Sequence, residues 1–192
     1  MKRKALLPLS LIVLMIACSP STQITKSWTD PSWKSGSVVP FKKVLVVAPF
    51  KDESSRRIAE DKIVASITKV TAVPSYNYIQ PADTAQGKLD IKLKKDGFDG
   101  IILMRLTDVN KSVSYNQGTS YGGWYGYRYS TPGYYSEDKT FYVETNFYSL
   151  DGNKLLWSGT TSSLNPSQFD QTLDEIIKAI RSELIQKGLI KE

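Results

Sequence analysis

The chain has no histidine and only one cysteine, Cys18, in 192 residues. Those two shortages remove whole classes of chemistry. Ser-His-Asp and Cys-His catalysis need an imidazole base, and zinc sites of the usual kind need several Cys or His ligands. A lone cysteine closes no intrachain disulfide, so the fold must hold by its core, which a chain of this length can bury. Beyond the first four residues no run of Lys or Arg exceeds two, so there is no basic stripe for nucleic acid. The stretch Pro49–Ser55, after an apolar run, contains no glycine and is therefore no phosphate loop. An enzyme built on this chain has carboxylates, lysine, serine, tyrosine or an oxygen-bound metal to work with, and no cofactor is expected.

What is present begins with an address. Lys2, Arg3 and Lys4 precede an apolar run from Ala5 to Ala17, broken only by Pro8 and Ser10. This is the charged start and apolar centre of a secretory signal. As a helix the run rises only about 20 Å, short of the roughly 30 Å hydrocarbon core, so it reads as a signal and not a permanent span. Leu14-Met15-Ile16-Ala17-Cys18 resembles the lipobox of bacterial lipoproteins, with Met15 where that family usually has Leu, Val or Ile. The resemblance implies cleavage before Cys18, a thioether-linked diacylglyceryl group and an acylated amino terminus. One acyl chain anchors only marginally, whereas several hold firmly. Ser19, in place of Asp, points by analogy with enterobacterial sorting to the periplasmic face of the outer membrane. Without residues 1–17 the charge falls from +6 to about +3, because three of the 25 cations leave and 19 acids remain.

Residues 18–40 read as the lipidated cysteine and a flexible tether, being polar and without period. Trp28 and Trp33 do not suit a spacer; they either dock on the domain, as an edge strand or surface contact, or form a short partner-binding motif. Residues 41–192 read as one globular domain. Lys43–Phe50 is a continuous apolar run suited to a strand buried on both faces. Asp52, Ser54 and Ser55 are candidate caps for a helix to about Val70. Val73–Gln80 is β-prone, Thr84–Asp96 a modest helix stopped by Gly97, and Gly100–Asn110 a second apolar strand. Thr140–Leu150 alternates, Asp151-Gly152 signals a hairpin, and Lys154–Ser163 returns, with Gly159 as a candidate bulge. Asn165-Pro166-Ser167, with Asp170, has the form of a capping box for a last helix. The helix carries a stripe of Phe169, Leu173, Ile176, Ile177, Ile180 and Leu184, and Gly188 ends it. The expected fold is α/β (α+β): a mixed sheet with helices packed on it, in the order β-α-β-α-β-β-β-α, with a long Tyr/Gly-rich hairpin extension.

That extension is the segment composition singles out. Ser114–Asp138 holds seven of the eleven tyrosines, together with Trp124 and five glycines. Tyrosine in such a background offers broad amphipathic contact at low entropic cost. Three readings fit: aromatics that cover each other and the sheet, a surface for a protein partner, or one for glycan or self-association. The candidate contact residues are Tyr121, Trp124, Tyr125, Tyr127, Arg128, Tyr129, Tyr134 and Tyr135, Arg128 being placed for cation–π contact.

Two other groups could carry chemistry. Asp52, Glu53, Arg56, Arg57, Glu60 and Asp61 follow the first apolar strand, where open α/β sheets bind ligands; solvated pairs such as Arg56–Glu60 account for them more simply. Asp108 and Glu144 are candidate paired carboxylates for glycan hydrolysis.

Trp28-x-Asp30-Pro31, Phe41-Lys42-Lys43-Val44-Leu45-Val46, Arg56-Arg57-x-x-Glu60-Asp61, Val73-Pro74-Ser75-Tyr76 and the run to Glu144-Thr145-Asn146 together resemble an uncharacterised family of bacterial envelope lipoproteins. That likeness spans nearly the whole chain and implies no activity or site residues. Val44–Phe50 and the element order are similar, more distantly, to three groups: the amino-terminal domain of TolB, the curli-secretion lipoprotein, and lipoproteins that activate peptidoglycan synthases. The resemblance implies a binding or assembly module in the cell envelope, held to the membrane by lipid, with an envelope protein or peptidoglycan as partner. The alternative is a glycan-binding protein or a carboxylate-dependent glycan hydrolase.

Overall fold

The computed structural model describes residues 21–33, 41–80, 88–117, 120–122, 128–130 and 132–190. In chain order these form β1 (Thr22–Thr29), β2 (Lys43–Val47), α1 (Glu53–Ser66), β3 (Thr71–Pro74), α2 (Ser75–Tyr78), α3 (Lys88–Lys95), β4 (Gly100–Asn116), β5 (Ser120–Gly122), β6 (Arg128–Ser130), β7 (Tyr134–Ser149), β8 (Lys154–Leu164) and α4 (Phe169–Gln186). Six strands make one mixed sheet in the order β1-β8-β7-β4-β2-β3. β2 runs parallel to β3 and β4, and the remaining pairs are antiparallel.

β2 is apolar from Val44 to Val47 because helices cover both its faces. Val44 and Val46 join the larger core with Ile63 of α1 and Leu173, Ile176 and Ile180 of α4. Leu45 faces the other way, into a smaller cluster with Leu93, Phe98 and Leu150. Asp52 caps α1, its carboxylate accepting the Ser55 N–H at 2.8 Å. Lys62 ties α1 to α4 through Asp174 at 2.7 Å and Asp170 at 3.2 Å. Asp170 is thereby engaged, and the capping box expected at Ser167 does not form: α4 starts at Phe169 behind Gln168, which makes no side-chain cap. The start is held instead by the Phe169 ring, perpendicular to Phe50 at 5.3 Å. Gly188, at φ 67°, closes the helix as expected, with Leu189 N–H on the Leu184 carbonyl at 2.8 Å.

Three further expectations need correction. Residues 22–33, assigned to the tether, belong to the fold, so the domain begins before residue 41. β1 is an edge strand paired with β8 from Thr22↔Ser163 to Thr29↔Trp157, and Trp33 is buried, 6.3 Å from Phe147. The strand is polar because its buried contacts are hydroxyls, such as Thr22 to Ser163 at 2.8 Å. The strand expected over Val73–Gln80 stops at Pro74, and Ser75–Tyr78 is a helical turn. Gly159 is no bulge, since it pairs in register with Thr145 and Ser27. It is needed because a Cβ there would lie 2.1 Å from the ring of Trp157, which is fully buried.

Trp33 is fixed by the turn before it. The Asp30 carboxylate accepts the Ser32 N–H at 2.7 Å, the Ser32 hydroxyl, and Lys154 Nζ at 2.9 Å. These bonds, the Ser32 hydroxyl first and Lys154 next, lower the Asp30 pKa from 3.8 to about 2. A carboxyl with a depressed folded pKa stabilises fully above its unfolded value and loses that contribution as pH falls through the folded one. Asp30→Asn should therefore melt below the wild type at pH 6. The two melting curves, followed by calorimetry, should converge between pH 4 and pH 2.

Candidate functional site

β4 and β7 form a ladder from Gly100↔Ser149 to Asn116↔Tyr134, with one irregularity between Leu106 and Asp108. Their neighbours stop early. β2 accompanies β4 only to Leu103, and β8 accompanies β7 only to Thr140. The last six pairs, Lys111↔Lys139 to Asn116↔Tyr134, thus make a two-stranded ribbon extending about 20 Å past the sheet. This is the hairpin extension the sequence predicts.

Every residue of β4 from Arg105 to Asn116 is exposed. Beyond the irregularity, alternation places Val109, Lys111, Val113 and Tyr115 on one face, opposite Phe141, Lys139, Glu137 and Tyr135. This face continues the one on which Val143 is buried against the helices. Here, however, no described helix covers it: Val113 is 68% exposed, Tyr115 58% and Tyr135 75%. The Tyr115 and Tyr135 rings lie 4.9 Å apart. Glu137 sits 3.7 Å from both Lys111 and Lys139, placing a charged strip across the apolar one. Gly133 leaves room for Tyr115, whose hydroxyl would be 2.3 Å from a Cβ at that position. An isolated two-stranded hairpin is marginal in water, and exposed apolar surface of this kind marks contact sites.

The predicted contact residues divide three ways. Tyr134 and Tyr135 lie on the ribbon, with 65% and 75% of their surface exposed. Tyr121, Arg128 and Tyr129 belong to the small β5–β6 pair, in which Tyr121 faces Tyr129 and Gly122 faces Arg128. Trp124, Tyr125 and Tyr127 lie outside the described residues, as does Cys18. Composition did not point to Val113 and Tyr115 as one surface with Tyr135; that needs the register.

The acidic cluster at α1 differs from its expected form. Arg56–Glu60 is not a solvated pair, because Glu60 is fully buried. Its Oε1 accepts the Ala48 N–H at 3.1 Å, the Ser75 hydroxyl at 2.6 Å and Arg56 Nε at 3.2 Å, while Oε2 accepts the Tyr76 N–H at 3.0 Å. Four donors on one carboxylate explain why the chain turns into α2 after β3. The arrangement is a structural tie with its lone pairs engaged.

Asp108 and Glu144 fall on one face, since Asp108 is opposite Tyr142 and Glu144 is two residues on. Glu144 is bound by Arg105 Nη2 at 3.1 Å and Asn146 Nδ2 at 2.5 Å. The Asn146 bond foremost, then Arg105, holds its pKa below the ordinary carboxylate value. Glycoside hydrolysis needs one carboxyl with a raised pKa, and the surroundings of Glu144 act in the opposite direction. Asp108 accepts the Val109 N–H at 2.8 Å. Among the described residues no group of three Asp, Glu, Cys or His side chains is placed to hold a metal.

A separate cavity of about 430 Å³ lies between the sheet and helices α1 and α4. It shares no residue with the ribbon.

No protein-family model matches the chain, and no curated protein is similar to it. Among solved structures it is similar to the PelC dodecamer from Paraburkholderia phytofirmans, at 10% identity and a TM-score of 0.45, covering 89% of this chain and 99% of that one. It is similar to lipoprotein GNA1162 from Neisseria meningitidis, at 14% identity and a TM-score of 0.41, covering 76% and 99%. TolB from Acinetobacter baumannii is similar at 15% identity and a TM-score of 0.38, covering 86% of this chain and 31% of that one.

Proposed function

We propose that this chain is a cell-envelope lipoprotein, anchored through Cys18 to the periplasmic face of the outer membrane. In this reading its folded domain is a non-catalytic binding or assembly module that docks an envelope protein on the β4–β7 ribbon. The address rests on the basic start, the apolar run and Ala17-Cys18. Among the described residues no helix is long and apolar enough to cross a membrane, so in this reading the lipid supplies the attachment. The observation that carries the docking role is the row Val113, Tyr115 and Tyr135, each more than half exposed, on a ribbon that no third strand joins among the described residues. Rigid tyrosine rings beside small polar residues contribute contact area with little entropic loss. The rival partner is glycan, favoured by the outward rings of Tyr134 and Tyr135, which suit stacking on sugar faces.

A photo-crosslinking residue at Tyr135, used in intact cells with products read by mass spectrometry, tests the docking role. A discrete protein adduct is expected and identifies the partner. Adducts to glycan alone, in a correctly located protein, would move the assignment to the rival. The address is tested by Cys18→Ser, which should leave unprocessed precursor without lipid; normal processing of that variant would remove the lipoprotein reading.

A further inference from the structure

The start of β1 and the root of the ribbon stand at the same end of the sheet. The Leu164 N–H donates to the Ser21 carbonyl at 3.0 Å. Leu164 is in turn the register partner of Thr140, the last residue of β7 that β8 accompanies before the ribbon begins. The Ser21 hydroxyl donates to Glu175 of α4 at 2.6 Å, so the first described residue is tied on two sides. β1 lies two strands from β7, a lateral step of about 10 Å. The β7–β8 turn at Asp151 marks the opposite end of the sheet, roughly 50 Å from Tyr134 by strand rise.

Only three peptide steps separate Ser21 from Cys18. Fully extended they span at most about 11 Å, whereas the ribbon reaches about 20 Å past the sheet. A lipid on Cys18 therefore holds the root of the ribbon beside the headgroups. The body of the domain cannot come between, because β1 runs eight residues away from Ser21, about 25 Å. The ribbon is left to point into the headgroup layer or to lie along it. Its exposed tyrosines suit that depth, since tyrosine is enriched at membrane–water interfaces. Lipid alone does not complete it: the strand edges of the ribbon are open among the described residues, and open edges are not tolerated in hydrocarbon unless protein covers them.

We propose that the ribbon docks a protein embedded in the membrane that carries the Cys18 lipid, against an apolar patch of that protein at headgroup depth. The inference rests on the readings of Cys18 and of the Val113, Tyr115 and Tyr135 row given above, and it names the class of the partner.

The test uses the processed, acylated protein in phospholipid vesicles. Cys18 is the only cysteine and its sulfur is taken by the lipid, so an introduced cysteine labels uniquely. A fluorescent donor on Tyr135→Cys should transfer to acceptor-labelled headgroups at least threefold more efficiently than the same donor on Asp151→Cys. Equal or reversed transfer overturns the proposal and leaves the docking row untouched. In cells, the protein crosslinked from Tyr135 should remain in carbonate-washed membranes of a strain that lacks this chain. A partner that washes off overturns the membrane-embedded class while docking itself stands. Adducts to lipid or glycan alone remove the docking reading, and loss of the protein from vesicles on dilution removes the lipid address; either takes the proposal with it.

Discussion

Glu60→Ala is expected to lower the melting temperature by roughly 10 °C. The argument starts from burial: Glu60 is fully inaccessible, and its two oxygens accept four donors from three parts of the chain. Ala48 N–H lies just past β2, Ser75 and Tyr76 open α2, and Arg56 stands one turn back on α1. Removing the carboxylate strands two backbone N–H groups and the Ser75 hydroxyl, each a loss of about 1–3 kcal/mol when buried without a partner. Arg56 retains Ser75 at 3.0 Å and Glu53 at 3.6 Å and is partly exposed, so its charge is the least affected. Breaking a buried charged pair typically costs about 3–5 kcal/mol, and in a domain of this size each kcal/mol shifts the midpoint by about 2–4 °C. Glu60→Gln should fall between: its carbonyl can still accept, but its NH₂ meets an N–H or hydroxyl that also donates. Calorimetry and urea unfolding of both variants check this, with the urea slope unchanged. An alanine variant that melts within about 2 °C of the wild type would mean that the carboxylate does not tie these elements together.

The contrast between what the sequence displayed and what it concealed follows from the range of the interactions. β2 was legible because burial on both faces leaves a run with no polar interruption. The Asp52 cap and the Gly188 stop are local, as is the Gly97 stop, whose φ is 79°. They need only a few residues and show themselves in a few residues. β1 was concealed because its buried positions are bonded and not apolar: Thr22 meets Ser163, and the edge strand lies on a Thr160–Ser163 run with no hydrophobic alternation to read. Arg56 and Glu60 at i, i+4 look the same on a solvated face and in a core; what buries Glu60 is Ala48 and Ser75, twelve and fifteen residues away. The irregularity after Leu106 changes which face the following residues occupy, so alternation counted from Ile102 assigns Val113 and Tyr115 to the wrong side. Composition identified the tyrosine segment as a candidate surface, but only the ladder joins Tyr115 to Tyr135. The cavity gave no local signal, since it is bounded by residues from Trp33 to Ile190.

Replacing Val113, Tyr115 and Tyr135 together with serine is expected to reduce crosslinked or captured partner at least a hundredfold while moving the melting temperature by no more than about 2 °C. Both halves follow from where these side chains stand. Each is more than half exposed on the stretch where no third strand joins β4 and β7 among the described residues, so their removal forfeits little burial. The main internal loss is the Tyr115–Tyr135 ring contact at 4.9 Å, a kind of pair worth about 0.5–1.5 kcal/mol, and much of that is already open to water. Binding is different, because aromatic anchors that become desolvated on docking each contribute about 2 kcal/mol or more, and two such losses already exceed a hundredfold. The face can be resolved by a fourth substitution. Tyr134, 65% exposed, projects to the opposite side from Tyr135 because neighbours in a strand alternate, so Tyr134→Ser should leave a partner on the Val113 face undisturbed. Loss of capture through Tyr134 alone would place the contact on the other face. Collapse of the triple variant on heating would instead make the ribbon part of the folding core, its tyrosines cohering with each other and not with a partner.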